Sequence, residues 1–184
     1  MLVETPSEAV DASHDAETHV WATLAYEERS RKAGRMSIEE RNQDVVRRYF
    51  EEWSNRGDER VVEEVISPDW ISHGTQSAFV ERPGLPPGAE GVKQLHHEVR
   101  AIWPDHQWTI DDMFAAGDKV CVRLTNHATH QGTYRGIPAT GKHVVFSAIW
   151  VLRLADGKIV EVWRSADDLS RVMQIGGQIV PAPV

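Results

Sequence analysis

Apolar positions recur at helical spacing through the first half of the organised chain and alternate at strand spacing through the second. Ser37, with Glu40 three positions later, has the form of a capping box, and Val45, Val46, Tyr49, Phe50 and Trp53 follow as one apolar stripe. Asn55-Arg56-Gly57 should stop that helix. Asp58 can cap a second helix whose buried face is Val61, Val62, Val65 and Ile66, ending before Pro68. A short strand over about Trp70 to His73 precedes a Pro- and Gly-rich loop, ERPGLPPGAEG, where neither helix nor ladder is expected and which could border a pocket. Val92, Leu95, Val99, Ile102 and Trp103 define a third helix, ended by Pro104.

Beyond Pro104 the pattern predicts strands over about 106–115, 119–130, 142–154 and 158–166, with turns at Gly117-Asp118, Gly136 to Gly141 and Asp156-Gly157. Asp-Gly is a strong hairpin signal because both turn residues need positive φ. Connections this short join antiparallel neighbours, so the four strands form a meander with the helices gathered on one face. A last helical turn runs from about Asp168 to Ile175. The expected fold is α+β, a strongly bent antiparallel sheet covered by three helices, over 37–177. Residues 1–36 form an extension: about 17 polar, acidic residues expected to be loose, then Val20, Trp21, Leu24 and Ala25 at the spacing of an accessory helix. Residues 178–184 form a tail.

Composition narrows the partners. A chain of 184 residues fits one domain, and a net charge of -8 from 28 acids and 20 bases argues against nucleic acid or an anionic membrane surface. Cys121 is the one cysteine, so no internal disulfide can form, and no apolar run is long enough to cross a bilayer. The opening residues carry acids rather than the basic-then-apolar order of a secretory leader, and a cytoplasmic location is expected.

The nine histidines do not arrange as a metal site. His127 and His130 stand three apart on a predicted strand and face opposite sides, while His96 and His97 are adjacent on a predicted helix and diverge by about a hundred degrees. The glycines of GTYRGIPATG precede no helix, so they read as hairpin geometry rather than a phosphate cradle. No cofactor and no metal are expected.

The order helix, helix, strand, helix, four strands, with GTYRGIPATGKHVVF in one hairpin, DGKIVEVW in the next and DLSRVMQIG at the end, resembles the SnoaL-like polyketide cyclases of the nuclear transport factor 2-like superfamily. The likeness runs from about Ile38 to Gly176 and includes the PDW turn before His73 and EGVKQL in the third helix. The resemblance implies a cone of helices over a wide sheet, an apolar cavity between them that takes a small organic molecule, and dimerisation through the outer sheet face. Val145, Ile149, Val151 and Val162 share a parity opposite to the expected pocket and are the apolar positions for such a homodimer.

The resemblance also implies an acid/base carboxylate at the end of the last strand, acting in an aldol ring closure without metal or nucleotide; Asp167 matches that position. Alternation puts Trp163, Ser165 and Asp167 on one face, and folding about Asp156-Gly157 sets them beside Trp150, Ala148 and Phe146. Poor solvation there would raise a carboxyl pKa towards neutrality. The other reading of Asp167 is a cap for the final helix. His73 matches a pocket-mouth histidine of the family or is an exposed loop residue, and His130 matches its THxG histidine or makes a structural hydrogen bond at the hairpin base. Trp53, His130, Phe146, Trp150, Trp163 and Ser165 are the expected substrate contacts, with Asp167 and His73 as the catalytic pair.

Three functions fit these residues. The first is a cofactor-independent enzyme for cyclisation, isomerisation or dehydration of an apolar cyclic molecule. The second is a non-catalytic binding or dimerisation module. The third is an epoxide hydrolase, in which Arg123 would pair with Asp167; Thr125 stands where a second Asp is needed. Asp167 lining an enclosed cavity would favour the first, and a cavity filled by Trp103, Trp150 and Trp163 would favour the second.

Overall fold

The computed structural model describes residues 36–73 and 85–178. The expected loose tail and accessory helix, and the chain beyond 178, lie outside them. Helix α1, Ile38–Arg48, follows Ser37 and carries Glu39 and Glu40 in its first turn and Arg47 and Arg48 in its last, the order that the helix dipole favours. It runs on into a π-helical turn, Tyr49–Ser54, in which the Asn55 N–H reaches back to the Phe50 carbonyl at 3.0 Å. Asp58 caps α2, Glu59–Val65, by accepting from the Arg60 N–H at 3.1 Å.

Strand β1 is Ile66–Ser72 and helix α3 is Gly88–Ile102. Gly88 to Gly91, expected in the loop, instead open α3. The first turn of a helix has no ladder N–H to lose, so Pro87 and two glycines are tolerated there, and Glu90 favours the dipole. The meander follows as β2 (Gln107–Ala116), β3 (Lys119–Thr129), β4 (His143–Ala155) and β5 (Lys158–Ala166), and α4 is Asp168–Gln174.

The sheet order is β1-β5-β4-β3-β2. Strands β2 to β5 pair antiparallel as expected, but β1 joins β5 in parallel, so the sheet is mixed. Pro68 is accommodated because β1 is an edge strand whose register slips between Ile66 and Ile71.

The β4–β5 hairpin contains the decisive irregularity. Asp156 and Gly157 adopt φ of 50° and 74°, and Ala155 opposes Lys158 and Leu154 opposes Ile159. Arg153 then opposes Glu161, leaving Val160 without a partner as a one-residue bulge. Beyond it every β5 side chain sits on the face opposite to the one that simple alternation assigns.

The inner face of the sheet presents Val122, Leu124, Leu152, Ile159 and Val162 to Val46, Phe50, Trp53 and Val62 from the helices, all buried. A second cluster joins Trp103, Tyr134, Val144, Phe146 and Ile175. Polar clasps tie the layers. The Asn55 side chain donates to the Trp108 carbonyl at 2.9 Å and accepts from its N–H at 2.8 Å, acting as a surrogate strand neighbour. Gly132 lets the β3–β4 loop lie against the end of α3, where a Cβ would fall 2.5 Å from the Ala101 carbonyl oxygen. No described helix is long and apolar enough to cross a membrane.

Asn55→Ala should leave both backbone groups of Trp108 short of their partner and lower stability by about 1–3 kcal/mol. Urea titration should show an earlier midpoint with an unchanged slope.

Candidate active site

Packing the π-helical turn and α3 over the curved sheet leaves a cavity of about 120 Å³. Tyr49 and Trp53, one turn apart, line it from the first helix, Leu95 and Val99 from α3, and Trp108, Phe146, Trp150 and Val162 from the sheet. The rings lock one another edge to face: Phe50 to Trp150 at 5.2 Å, Trp108 to Phe146 at 5.7 Å and Trp108 to Trp150 at 6.0 Å between centroids.

The polar groups divide between the two sides. On the helix side the Ser54 carbonyl, at the end of the π turn, accepts from His96 Nε2 at 2.9 Å, His106 Nε2 at 3.2 Å and Arg100 Nη2 at 3.0 Å. A carbonyl can only accept, so His106 donates from Nε2, and at His96 the 2.9 Å carbonyl contact outweighs the longer 3.4 Å approach of Arg100 Nε to the same nitrogen; both imidazoles then keep the Nδ1 lone pair. Burial lowers the pKa of His96, and it lowers that of His106, 4% exposed, to about 3. Both are neutral near pH 7.

On the sheet side Arg164 lies over the Trp150 ring, 5.5 Å from its centroid, and burial lowers its pKa. Arg171 is buried, donates to Asp168 and to the Tyr134 hydroxyl, and stacks 4.7 Å from Phe146. Burial pushes the Tyr49 hydroxyl up to about 12, so it remains a donor. The indole N–H groups of Trp70, Trp103 and Trp150 are buried with no acceptor among the described residues. The described lining contains no Asp or Glu.

Of the expected substrate contacts, Trp53, Phe146 and Trp150 line the cavity, and Trp103 and Trp150 wall it without filling it. Trp163 and Ser165 are carried to the outer face by the Val160 bulge, which turns Val162 and Arg164 inward in their place. Asp167, exposed, accepts from the Ser170 N–H at 3.0 Å and caps α4; its own N–H donates to the Ser147 carbonyl at 3.0 Å, and it does not share the cavity lining of Trp150 and Phe146. His73 also points away from the cavity: it stacks on Trp163 at 4.7 Å and its Nε2 lies 3.0 Å from Glu161, whose carboxyl Arg153 and His73 hold below the usual range. His130 is buried at the hairpin base, with Nδ1 3.0 Å from the Thr140 hydroxyl and its ring 4.9 Å from Trp103. Arg123 pairs with Asp111 at 3.1 Å on the exposed side of β3.

Tyr49, His96, His106, Asn126, Arg164 and Arg171 are among the polar lining residues that sequence reasoning did not assign to the site, with Ser54 and Ser72. Asn126 was legible, since it shares the inward parity of Leu124 and Ala128. Arg164 was concealed by the bulge, whereas His106, at the start of the strand expected over about 106–115, shares the inward parity of Trp108 and Ile110 and was legible as well. Among the described residues no group of three His, Cys, Asp or Glu could hold a metal.

A family model for SnoaL-like polyketide cyclases matches residues 43–175. No curated protein sequence matches the chain. Among solved structures, a candidate SnoaL-like polyketide cyclase from Jannaschia sp. CCS1 is 23% identical with a TM-score of 0.67, covering 79% of this chain and 98% of that one. IdmH from Streptomyces antibioticus, a candidate polyketide cyclase, is 29% identical with a TM-score of 0.64 over 73% of this chain and 98% of its own. TsrD from Streptomyces laurentii is 24% identical with a TM-score of 0.64 over 75% and 96%.

The depressed pKa of His106 makes a pH prediction. The unfolded chain takes up a proton near the ordinary histidine value of about 6.5, while the folded imidazole resists until about 3. Stability is therefore full above about pH 6.5 and falls as pH drops through the interval, by at most about 1.4 kcal/mol per unit. Denaturant midpoints between pH 7 and pH 4.5 should show that decline, and His106→Asn should reduce it, leaving the part due to His96. Between about pH 6.5 and pH 5 ordinary carboxylates stay largely ionised, so the decline in that part reports histidine.

Proposed function

The chain belongs to the SnoaL-like polyketide cyclase family, and from that premise we propose that it is a cyclase- or isomerase-type enzyme moving a proton on a ring-bearing ketone. The observation that carries this reading is the division of the cavity. Neutral imidazoles stand on the helix side, hydrogen-bond donors on the sheet side, and aromatic walls between them.

In this reading His96 Nδ1 removes a proton from the carbon next to a substrate carbonyl. His96 is the choice over His106 because it is less buried and His106, at about 3, is too weak a base at neutral pH. The enolate oxygen is held by the Arg164 guanidinium, the Tyr49 hydroxyl and the Trp150 indole N–H, donors fixed in place before the charge develops. The enolate carbon then adds to a second carbonyl, whose oxygen takes the proton from His96. Return of the proton to another carbon would be isomerisation. The steps are redox-neutral and call for no cofactor. Asp167 supports α4, which carries Arg171, and acts on the chemistry only through that helix.

We further propose a homodimer through the outer sheet face. Phe114, 60% exposed, shares a cross-strand row with Cys121, Val151 and Trp163, while Val145 and Ile149 are 42% and 51% exposed. Val162, expected in that surface, is buried on the inner side. Light scattering at micromolar concentration should give twice the chain mass, and Ile149→Glu should shift it to the monomer; a monomeric wild type removes the proposal.

The catalytic reading is tested by screening polyketide-like cyclic ketones for binding and following deuterium exchange at the carbon next to the carbonyl by NMR. His96→Gln should slow exchange by roughly 10²-fold or more and Arg164→Gln by about 10²-fold. Asp167→Asn, which keeps a competent cap, should change exchange and melting temperature little. Loss of exchange in the Asp167 variant with full activity in the His96 variant would return the acid/base role to the carboxylate. Binding without exchange would leave a non-catalytic module.

A further inference from the structure

We propose that Asn126 determines which ring compounds the cavity takes: its carboxamide reads an edge on which a hydrogen-bond donor, O–H or N–H, stands next to a carbonyl. This rests on the reading of the cavity as the substrate site and adds a polar edge to the molecule that fills it.

Asn126 lies on β3, between β2 and β4 in the sheet. It opposes Trp108 on one side and Phe146 on the other, and Leu124 and Ala128 flank it on the same face. Aromatic and aliphatic groups therefore surround an amide that is 3% exposed and lines the cavity. Among the described residues its side chain meets no hydrogen-bond partner. Two other carboxamides show the contrast. Asn42, equally buried, donates to the Gly117 carbonyl at 3.0 Å, and Asn55 holds both backbone groups of Trp108. Those amides serve the fold. A buried carboxamide without partners costs stability unless a ligand or water completes it.

A carboxamide presents an acceptor and a donor side by side in one plane. Its complement is the same pair reversed, a C=O beside an O–H or N–H, and rotation of the amide by a half turn serves either order. The acceptor half does the selecting. Trp70, Trp103 and Trp150 line the same cavity with buried indole N–H groups that lack acceptors among the described residues, and an indole can only donate. An oxygen on the ligand thus has several donors to choose from. A donor on the ligand finds the Asn126 oxygen, set in the sheet between Trp108 and Phe146. The low dielectric of such walls strengthens a matched pair and penalises an unmatched one.

Titration calorimetry on the full-length chain with 2-quinolone and coumarin tests this. The two bicycles share shape and carbonyl and differ in the neighbouring ring atom, N–H in the lactam and O in the lactone. The wild-type protein should bind the lactam roughly tenfold or more tightly, because the lactone leaves the Asn126 oxygen without a donor. Asn126→Leu, similar in size and apolar, should bring the two affinities within about twofold of each other. The same variant should leave the urea midpoint of the free protein unchanged or raised, since an unpaired polar group leaves the interior. A lower midpoint with the lactam preference retained would assign Asn126 to the fold and overturn the proposal. Equal affinities of lactam and lactone for the wild-type protein would overturn it without any variant and leave the cavity reading intact. No binding of either compound would overturn both.

Discussion

The pairing of β4 with β5 admits one extra residue, Val160, and the chemistry available in the cavity depends on that residue. Strand alternation has a period of two, so a single unpaired residue exchanges the faces of everything beyond it. Here the exchange brings Val162 and Arg164 inside and sends Trp163 and Ser165 outside. Moving a guanidinium into an aromatic chamber carries a desolvation cost, which the face of Trp150 and the charge of Asp168 partly offset. The bulge replaces one more tryptophan in an already tryptophan-rich lining by a guanidinium.

The helix side is organised by a different constraint. Buried carbonyls at the end of a helix must find donors, and the π turn that ends the first helix leaves the Ser54 oxygen facing α3 rather than a helical N–H. Arg100, His96 and His106 supply the donors. That solution to a folding requirement also sets the tautomer of both imidazoles, and their burial keeps them neutral. Packing and proton chemistry at this site share the same hydrogen bonds.

The outer face carries the residues that the inner one does not use. His73 stacked on Trp163 and joined to Glu161 and Arg153 makes a polar edge beside β1, while Phe114, Val151 and Ile149 form an apolar surface across the middle of the sheet. Asp167 stands where the last strand turns into α4, and its helix-capping bond helps hold Arg171 against Phe146 and Trp103.

The sequence by itself determined the three helices on the sheet, the four-stranded meander, the Asp156-Gly157 turn and the aromatic positions Trp53, Phe146 and Trp150, because these follow from local periodicity, caps and turn chemistry. It also bore the family motifs, which are mostly turn and packing residues and say little about a site. Tertiary structure alone decided the parallel docking of β1, the inward turn of Arg164, the meeting of His96 with His106 on one carbonyl, and the outward placement of His73 and Trp163. The physical reason is common to these cases. A bulge, an edge-strand pairing and a convergence of residues 54, 96 and 106 are set by the balance of packing between distant segments, and no local pattern of apolar and polar residues encodes which side of that balance prevails.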